Sequence, residues 1–385
     1  MKVVSILEAG RYGGTNKRIK DVAVALKKNY DVETLVVFGS ENSEIYANIL
    51  QRENVSYRIL NLNRFRLTFI RVLKYFVFFI PEVLMLIRLF KKEKPDIVHV
   101  NAVIDLKGII AAKILNIPAI WHVSTSSDPL LIKKLFAFLR KFFKGNYIAP
   151  SQAAIDFHLD QSYVDQRKAK IIPVPVQTDF FTPSQQIEDP EIYINNNSIK
   201  IVSISNVHPG KGFDVLINAT AKVMKNISPN TKVEVFIVGK VWPNHQTYFE
   251  GLKKMLQEES LDNVHFMGRS DDIRIYLNSA DIFVCASHAE SGPIVVVEAM
   301  AMNLPVVCTD VGFVKSIFEK YDCGIVVPIK DSDKMADAMI ELITNNELRK
   351  EMGENGYKAV KEIFDVNSVA KETYQWYQNT IDKYK

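Results

Sequence analysis

Short runs of β-branched residues alternate with longer helical patterns along the whole chain. In the first half, strands are predicted at 2–7, 32–38, 96–100, 119–123 and 147–149. The second half repeats the scheme, with strands predicted at 200–204, 232–238, 264–267, 282–286 and 306–309. This alternation is typical of parallel sheets that carry helices on both faces. The predicted fold class is therefore α/β, with one such sheet in each half.

Length and charge distribution indicate two domains. A chain of 385 residues is too long for one ordinary core. Residues 1–180 hold 27 Lys and Arg against 16 Asp and Glu, a net charge of +11, and the remainder holds 21 against 28, a net charge of −7. The basic half favours an anionic partner: a diphosphate, an acidic lipid surface or nucleic acid. A polar stretch at 183–198 marks the predicted boundary.

Glycine-bearing loops follow the first predicted strand of each half. Gly13 and Gly14 follow the first, and the run His-Pro-Gly-Lys-Gly at 208–212, which contains Lys211, follows the second. Ligands of such sheets bind beyond the carboxyl ends of the strands. Paired glycines permit close approach and positive φ, and a helix start with one ammonium favours phosphate. Taken alone, a tight turn and an exposed lysine explain the two loops at least as well.

The stretch ESGPIVVVEAMAMNLPVV at 290–307 places two carboxylates, Glu290 and Glu298, around an apolar run. The β-branched residues favour a strand, whereas the Ser-Gly-Pro before Ile294 resembles a helix start. A helix would end near Asn303, a tolerable left-handed cap, and its first N–H groups would favour an anion. The two acids would then accept hydrogen bonds from sugar hydroxyls. The plain alternative is two surface acids at the ends of a buried element.

Several short motifs resemble, in order and spacing, those of the retaining glycosyltransferases of family 4. Glu290, seven residues and Glu298 resemble the E-x7-E signature of that family, and Lys211 lies in a turn similar to its P-x-K-G turn. The other matches cover nearly the whole chain: a glycine loop at 12–16, PDIVH at 95–99, Trp-His at 121–122, VHFMG at 264–268, the segment 276–287 and DVG at 310–312. Each motif is weak alone, and together they are specific.

The resemblance implies the GT-B fold, with two facing Rossmann-like domains and a cleft between them. The N-terminal domain, 1–182, is expected to bind the acceptor and to be completed by a C-terminal helix at 368–385. The domain at 183–367 is expected to bind the nucleotide-sugar donor.

The resemblance also assigns roles to matching residues. Glu298 is expected to bind the ribose, and Glu290 to contact the donor sugar and support positive charge at its anomeric carbon. Lys211 is expected to neutralise the leaving diphosphate, and His122 to hydrogen-bond the donor sugar. The expected catalytic residues are thus Glu290, His122 and Lys211. The other expected donor-binding residues are Gly13, Gly14, Asn206, Arg269, Gly292, Ile294, Val295 and Val296.

The chain departs from the family pattern just before the lysine turn. The family has Gly-Arg-Leu where this chain has Ser-Asn-Val at 205–207. A second phosphate-binding cation is therefore missing at Asn206. Lys211 is expected to act instead with backbone dipoles or with another cation, such as Arg269.

Neither a metal nor another cofactor is expected beside the nucleotide-sugar substrate. The seven histidines are scattered, without ligand spacing on one element. The D-x-D at 331–333 precedes a helical pattern and is expected to cap a helix.

Two segments of the basic half combine cations with apolar residues. The cations of 130–144 fall on one side of a helical wheel: Lys133, Lys134, Arg140, Lys141 and Lys144. Residues 65–92 add Arg66, Arg71, Lys74, Arg88, Lys91 and Lys92 to an apolar stretch, where Pro81 and the charges disfavour a transmembrane span. Packing helices with solvated basic faces and peripheral contact with an anionic membrane explain these segments equally well.

These observations lead to an expected function and location. We expect a hexosyltransferase that moves a hexose-type sugar, uridine-linked in the donor, to a hydroxyl of a lipid-linked or cell-surface glycan precursor. The apolar stretch at the start of the chain is too short for a signal peptide. We therefore expect a cytoplasmic protein that is peripheral on the inner face of the membrane. No nucleic-acid-binding motif is present, and nucleic acid is not an expected partner. A sugar-nucleotide epimerase and a non-catalytic partner subunit stay open as alternatives.

Overall fold

A computed structural model describes residues 1–65, 68–125, 130–143, 145–159, 168–183 and 197–384. The chain forms two compact units: unit 1 is Met1–Pro175 with Val366–Lys385, and unit 2 is Val176–Asp365. Most of the predicted boundary segment at 183–198 lies outside the described residues, as do Arg66 and Lys144.

Unit 1 is built on a parallel sheet. Its described strands are β1 Lys2–Leu7, β2 Glu33–Gly39, β3 Tyr57–Leu60, β4 Ile97–Val100, β5 Ala119–His122, β6 Asn146–Ala149 and β7 Ala169–Ile171. They are ordered β3-β2-β1-β4-β5-β6-β7, and all pairs are parallel. The helices are α1 Gly14–Tyr30, α2 Glu44–Arg52, α3 Phe69–Glu93, α4 Leu106–Ile114, α5 Leu130–Leu139, α6 Gln152–His158 and the C-terminal α14 Val366–Asp382.

Unit 2 repeats this architecture. Its described strands are β8 Ser198–Ile204, β9 Lys232–Val238, β10 Val264–Gly268, β11 Ile282–Cys285, β12 Val306–Thr309 and β13 Gly324–Val327, ordered β10-β9-β8-β11-β12-β13 and all parallel. The helices are α7 Phe213–Asn226, α8 Gln246–Glu258, α9 Arg274–Ser279, α10 Ile294–Ala301, α11 Val314–Tyr321, α12 Ser332–Thr344 and α13 Asn346–Ala359.

The central strands are buried on both faces. Along β1, Val4 and Ile6 pack into one apolar cluster, whereas Val3 packs into a second cluster that contains Leu26 of α1 and Trp376 of α14. Successive side chains of a strand point to opposite faces, so helices must cover both sides. This burial explains why the strands read as continuous apolar runs.

All ten predicted strands are present, with ends that shift by at most two residues. Strands β3, β7 and β13 were not predicted from the sequence. Each of these lies at the edge of its sheet. Edge strands bury fewer side chains than central ones, and the burial along β3 is only partial. In β3 and β7 a cation, Arg58 or Lys170, interrupts the apolar run and weakens its signal.

The boundary between the units falls at 175/176, seven residues before the expected position. Val176 forms a parallel bridge with Asp365, and its N–H donates to the Phe364 carbonyl at 2.8 Å. The Thr178 hydroxyl donates to the Asp365 carboxylate at 2.6 Å. These bonds tie residues 176–178 to unit 2.

Helices α3 and α5 expose an unusual amount of apolar surface. Among the side chains that the structure describes, eight large apolar residues of α3 and three of α5 are exposed. The expectation that Arg140 belongs to a solvated basic face is wrong, because Arg140 is buried and its guanidinium donates to the His158 carbonyl at 2.8 Å. The helical wheel failed there because α5 ends at Leu139. Of the helices described, none is long and apolar enough to cross a membrane.

Two buried histidines on neighbouring strands of unit 1 form a polar pair. The Nε2 of His99 in β4 lies 3.3 Å from the Nδ1 of His122 in β5. The Nδ1 of His99 lies 2.6 Å from the hydroxyl of Tyr377 in α14. Burial first, and then the nearby Arg18 guanidinium, holds the pKa of both histidines well below the usual 6.5. Both rings are therefore neutral in the folded protein at neutral pH.

We expect this pair to make unit 1 sensitive to acid. Below pH 6.5 the unfolded chain takes up protons that the folded chain does not, so the free energy of unfolding falls as the pH falls. The expected loss at pH 5.5 is about 1 kcal/mol per histidine. Urea unfolding at pH 7.5 and 5.5 measures it. Between the two pH values, the free energy of unfolding should fall less in the double variant His99→Gln/His122→Gln than in the wild type. An equal fall in both proteins would contradict the account.

Candidate functional site

Two loops of unit 2 meet at the carboxyl edge of its sheet. The loop after β8 ends at Gly212, whose φ is +64°, and a Cβ there would lie 2.1 Å from the Ala286 carbonyl oxygen. The N–H of His288 donates to the Gly210 carbonyl at 2.9 Å. Only glycine fits position 212, because both the positive φ and the close contact exclude a side chain. The loop that carries Lys211 is therefore held against the loop after β11.

This contact brings Lys211 and Glu290 together. The Lys211 ammonium forms an ion pair with Glu290 Oε1, and each side chain is about 20% exposed. The Ser287 hydroxyl donates to the same carboxylate oxygen at 3.0 Å, and the Ser287 carbonyl accepts from the Thr309 hydroxyl at 2.5 Å. Ser287 ends the motif at 276–287, but it was not among the residues predicted to form the site. The site thus presents one partly exposed cation and one partly exposed carboxylate to an incoming ligand.

Residues 294–301 form a helix, α10, and not a strand. Pro293 caps the helix in extended conformation, and Asn303 after it has a φ of +60°. The predicted helix start and left-handed end are confirmed. Because Pro293 stands before the first helical residue, its missing N–H removes no hydrogen bond from the helix.

The first turn of α10 has donors for an anion. The N–H groups of Ile294 and Val295 stand at positions that have no partner within a helix. The N–H of Val296 donates to the Pro293 carbonyl at 3.1 Å and is thus already engaged. Gly292 is half-buried just before the helix, and Glu298 is buried within it.

The two other expected donor residues of unit 2 are exposed. Asn206 follows β8, at the carboxyl edge of the sheet. Arg269 follows β10, and its guanidinium donates to the Asp271 carboxylate at 2.8 Å. That side chain is more than half exposed.

His208 is a neighbour of Lys211 that the sequence analysis did not assign to the site. Its Nδ1 accepts from the Gly210 N–H at 3.2 Å. Burial, followed by the charges of Lys211 and His245, lowers the pKa of His208. A neutral imidazole here leaves Lys211 as the cation of this loop.

In unit 1, Gly13 and Gly14 stand at the start of α1. Gly13 caps the helix with a φ of −170°, which any residue adopts, and no described atom lies within 4 Å of a Cβ built there. The fold therefore does not require glycine at position 13. Its bare backbone leaves open space beside a helix start. The expected role of His122 in binding the donor sugar stays a prediction, since the ring is buried against His99.

A buried charge cluster follows β1 and β4, and the sequence analysis missed it. The Lys107 ammonium lies 3.2 Å from Glu8 and 2.7 Å from Glu82. Asp105 accepts from the Glu8 N–H at 2.9 Å. Burial and then Asp105 raise the pKa of Glu8, and burial raises the pKa of Asp105 to about 6. Glu8 lies 99 residues from Lys107 and 97 residues from Asp105 in the chain, so no local pattern could reveal the cluster.

Within the described ranges, no group of three or more His, Cys, Asp or Glu side chains is placed to hold a metal ion. The predicted helix cap at 331–333 is confirmed, because Asp331 accepts from the Lys334 N–H at 2.9 Å.

Family models match both units. The model of Glycosyltransferase Family 4 matches residues 12–180, and the model of Glycosyl transferases group 1 matches residues 184–359. The chain belongs to glycosyltransferase family 4, which confirms the resemblance read from its motifs.

Curated relatives are similar to parts of the chain. The N-acetyl-alpha-D-glucosaminyl L-malate synthase of Bacillus anthracis is 26% identical, over 50% of this chain and 48% of its own length. An Escherichia coli UDP-Gal:alpha-D-GlcNAc-diphosphoundecaprenol alpha-1,3-galactosyltransferase is 22% identical, over 73% of this chain and 76% of its own. The chain spans 28%, 48% and 43% of the length of three relatives that match it, less than half of each.

Solved structures establish the fold. A glycosyltransferase from Rickettsia africae superposes with a TM-score of 0.82 at 18% identity, over 99% of this chain and 98% of the other. Anabaena HepE in complex with UDP-glucose superposes with a TM-score of 0.81 at 19% identity, over 98% of this chain and 100% of the other. The GT-B fold predicted from the sequence is thus confirmed.

We expect Lys211→Ala to weaken binding of UDP by about ten- to a hundredfold, because a charge-assisted hydrogen bond contributes about 1.5–3 kcal/mol. Lys222→Ala is the matched control, since Lys222 lies in the same unit and pairs with Asp333. Calorimetric titration with UDP measures the three affinities. Equal affinities in all three proteins would remove Lys211 from the site.

Proposed function

We propose that this protein is a retaining hexosyltransferase that uses a UDP-sugar donor. The observation that carries the proposal is the meeting of Lys211, Glu290 and the first turn of α10 at one sheet edge in a family 4 chain. A cation and helix N–H groups suit a diphosphate, and a carboxylate beside them suits sugar hydroxyls.

The proposed reaction begins when the donor diphosphate takes the Lys211 ammonium away from Glu290. The N–H groups of Ile294 and Val295 bind the same diphosphate, and Glu298 accepts from the ribose hydroxyls. Glu290 then accepts from the hydroxyls of the sugar and supports positive charge at its anomeric carbon. Fixed donors of this kind, aimed at developing charge, are the largest contribution in many enzymes.

The chemical step exchanges one bond for another at the anomeric carbon. The bond from this carbon to the diphosphate oxygen breaks, and the acceptor oxygen bonds to the same face of the sugar. The proton of the acceptor hydroxyl passes to the leaving diphosphate oxygen. No enzyme nucleophile is required, and the configuration at the anomeric carbon is retained.

The comparisons support UDP as the nucleotide. The similar HepE structure contains UDP-glucose, and the E. coli relative is named for UDP-Gal. Assignment of Gly13, Gly14, Arg269, Gly292 and His122 to donor contacts rests on the family resemblance alone.

We further propose a lipid-linked acceptor at the inner face of the cell membrane. One relative is named for diphosphoundecaprenol and another for phosphatidyl-myo-inositol. The exposed apolar residues of α3 and α5, with lysines beside them, suit peripheral contact with anionic lipid. Binding to phosphatidylglycerol vesicles and not to phosphatidylcholine vesicles tests this contact.

A non-catalytic partner subunit is the second candidate, because Asn206 stands where the family has an arginine. Incubation with a panel of nucleotide sugars, with and without membrane lipid extract, separates the candidates. Lipid-dependent release of UDP from one sugar is the expected result. Binding of a donor without turnover would favour the partner subunit, and conversion of the donor without an acceptor would favour an epimerase.

We expect Glu290→Gln to reduce transfer about a hundredfold or more, since the amide lacks the charge that supports the anomeric carbon. UDP affinity should be retained or should rise, because Lys211 loses a competing partner. Glu319→Gln, on the exposed surface of α11, is the control. Initial rates and UDP titrations measure both effects, and an unchanged rate in Glu290→Gln would refute the assigned role.

A further inference from the structure

An apolar pocket of about 390 Å³ lies between α3, α4 and α5 of unit 1. Side chains that line it include Tyr75, Phe79, Ile104, Ile110 and Phe136. Its volume falls within the range of small-molecule sites, about 300–1,000 Å³. The lining offers little to a polar ligand, so the pocket suits hydrocarbon.

The mouth of the pocket opens onto the exposed apolar surface of α3 and α5. Phe76 and Ile80 line the pocket although they are 64% and 68% exposed, and Leu135 of α5 is also exposed. Large contiguous apolar patches are rare on soluble monomers and mark sites of contact with protein, lipid or ligand. A chain that leaves the pocket would therefore pass directly into an apolar surrounding.

The charges near this surface are positive. The sequence 130–143 contains no acid, and Lys134 and Lys141 are exposed. On α3, Lys74 is exposed, whereas Arg71 is neutralised by Glu41 at 3.1 Å. Exposed ammonium groups beside an apolar surface complement an anionic phospholipid interface.

The inner end of the pocket reaches the carboxyl edge of the unit 1 sheet. Ile104, in the loop after β4, lines it. The ring of Tyr75 lies 4.3 Å from the Lys107 ammonium, which contacts Glu8 directly after β1. Ligands of parallel sheets bind at this edge. A lipid held in the pocket would thus have its polar group near the edge where an acceptor is expected.

We propose that this pocket binds the hydrocarbon chain of the lipid that carries the sugar acceptor. The inference rests on the proposed function and adds a binding site for the chain itself. A chain taken out of the bilayer lets the enzyme position the acceptor hydroxyl without inserting a helix. The position of the pocket, with one end at the sheet edge and the other at the apolar surface, favours the acceptor lipid over a bilayer phospholipid.

The test uses n-alkyl phosphates of increasing length, below the concentrations at which they form micelles. Affinity measured by calorimetry should rise roughly fourfold for each methylene, from about 0.8 kcal/mol per buried group, and then level off when the pocket is full. Ile110→Trp should lower the chain length at which affinity levels off, and Ile110→Ala should raise it. Ile114→Trp, on the same helix but 60% exposed and outside the lining, should match the wild type.

Two further measurements assign the occupant. With membrane lipid extract as acceptor, Ile110→Trp should raise KM and leave kcat unchanged. Its binding to acceptor-free phosphatidylglycerol vesicles should equal that of the wild type. Weaker vesicle binding would instead assign the pocket to bilayer phospholipid, and alkyl-phosphate affinities that do not respond to Ile110 would reject the pocket. UDP affinity, measured in parallel, tests the glycosyltransferase proposal independently.

Discussion

The contact of Gly212 with the Ala286 carbonyl is the constraint on which the unit 2 site depends. A side chain at position 212 would require a strained φ and would overlap a backbone oxygen. Because glycine allows this contact, Lys211 meets Glu290 across two loops that are 79 residues apart in the chain. The helix start at Pro293 then adds backbone donors next to this pair. The order of the strands, the packing of the two loops and the start of α10 thus place these groups at one edge of the unit 2 sheet.

The ion pair between Lys211 and Glu290 can exchange partners when a ligand binds. Each side chain is about 20% exposed, so an incoming ligand can reach both. A diphosphate carries more charge than one carboxylate and is a stronger partner for Lys211. In the proposed reaction, this exchange of partners binds the nucleotide and lets Glu290 accept from the donor sugar in one event. Unit 1 differs in where it places charged and apolar side chains. At its sheet edge, Glu8 and Lys107 are buried, whereas several large apolar side chains of α3 are exposed.

Much of this could be predicted from the sequence because the signals are local. Alternating strand and helix patterns predicted both sheets. Pro293 and Asn303 predicted the two ends of α10. Features that depend on distant partners could not be predicted. Lys107 meets Glu8 only after β1 and β4 become neighbours, and the edge strand β3 has little apolar signal of its own. Arg140 was misjudged because a helical wheel does not show where the helix ends.

A crystal structure with a bound UDP-sugar tests the central claim most directly. The account predicts that the Lys211 ammonium lies about 3 Å from a diphosphate oxygen and no longer contacts Glu290. The Glu290 carboxylate should accept hydrogen bonds from the sugar hydroxyls. A diphosphate bound away from the start of α10, with Lys211 still paired to Glu290, would contradict the account.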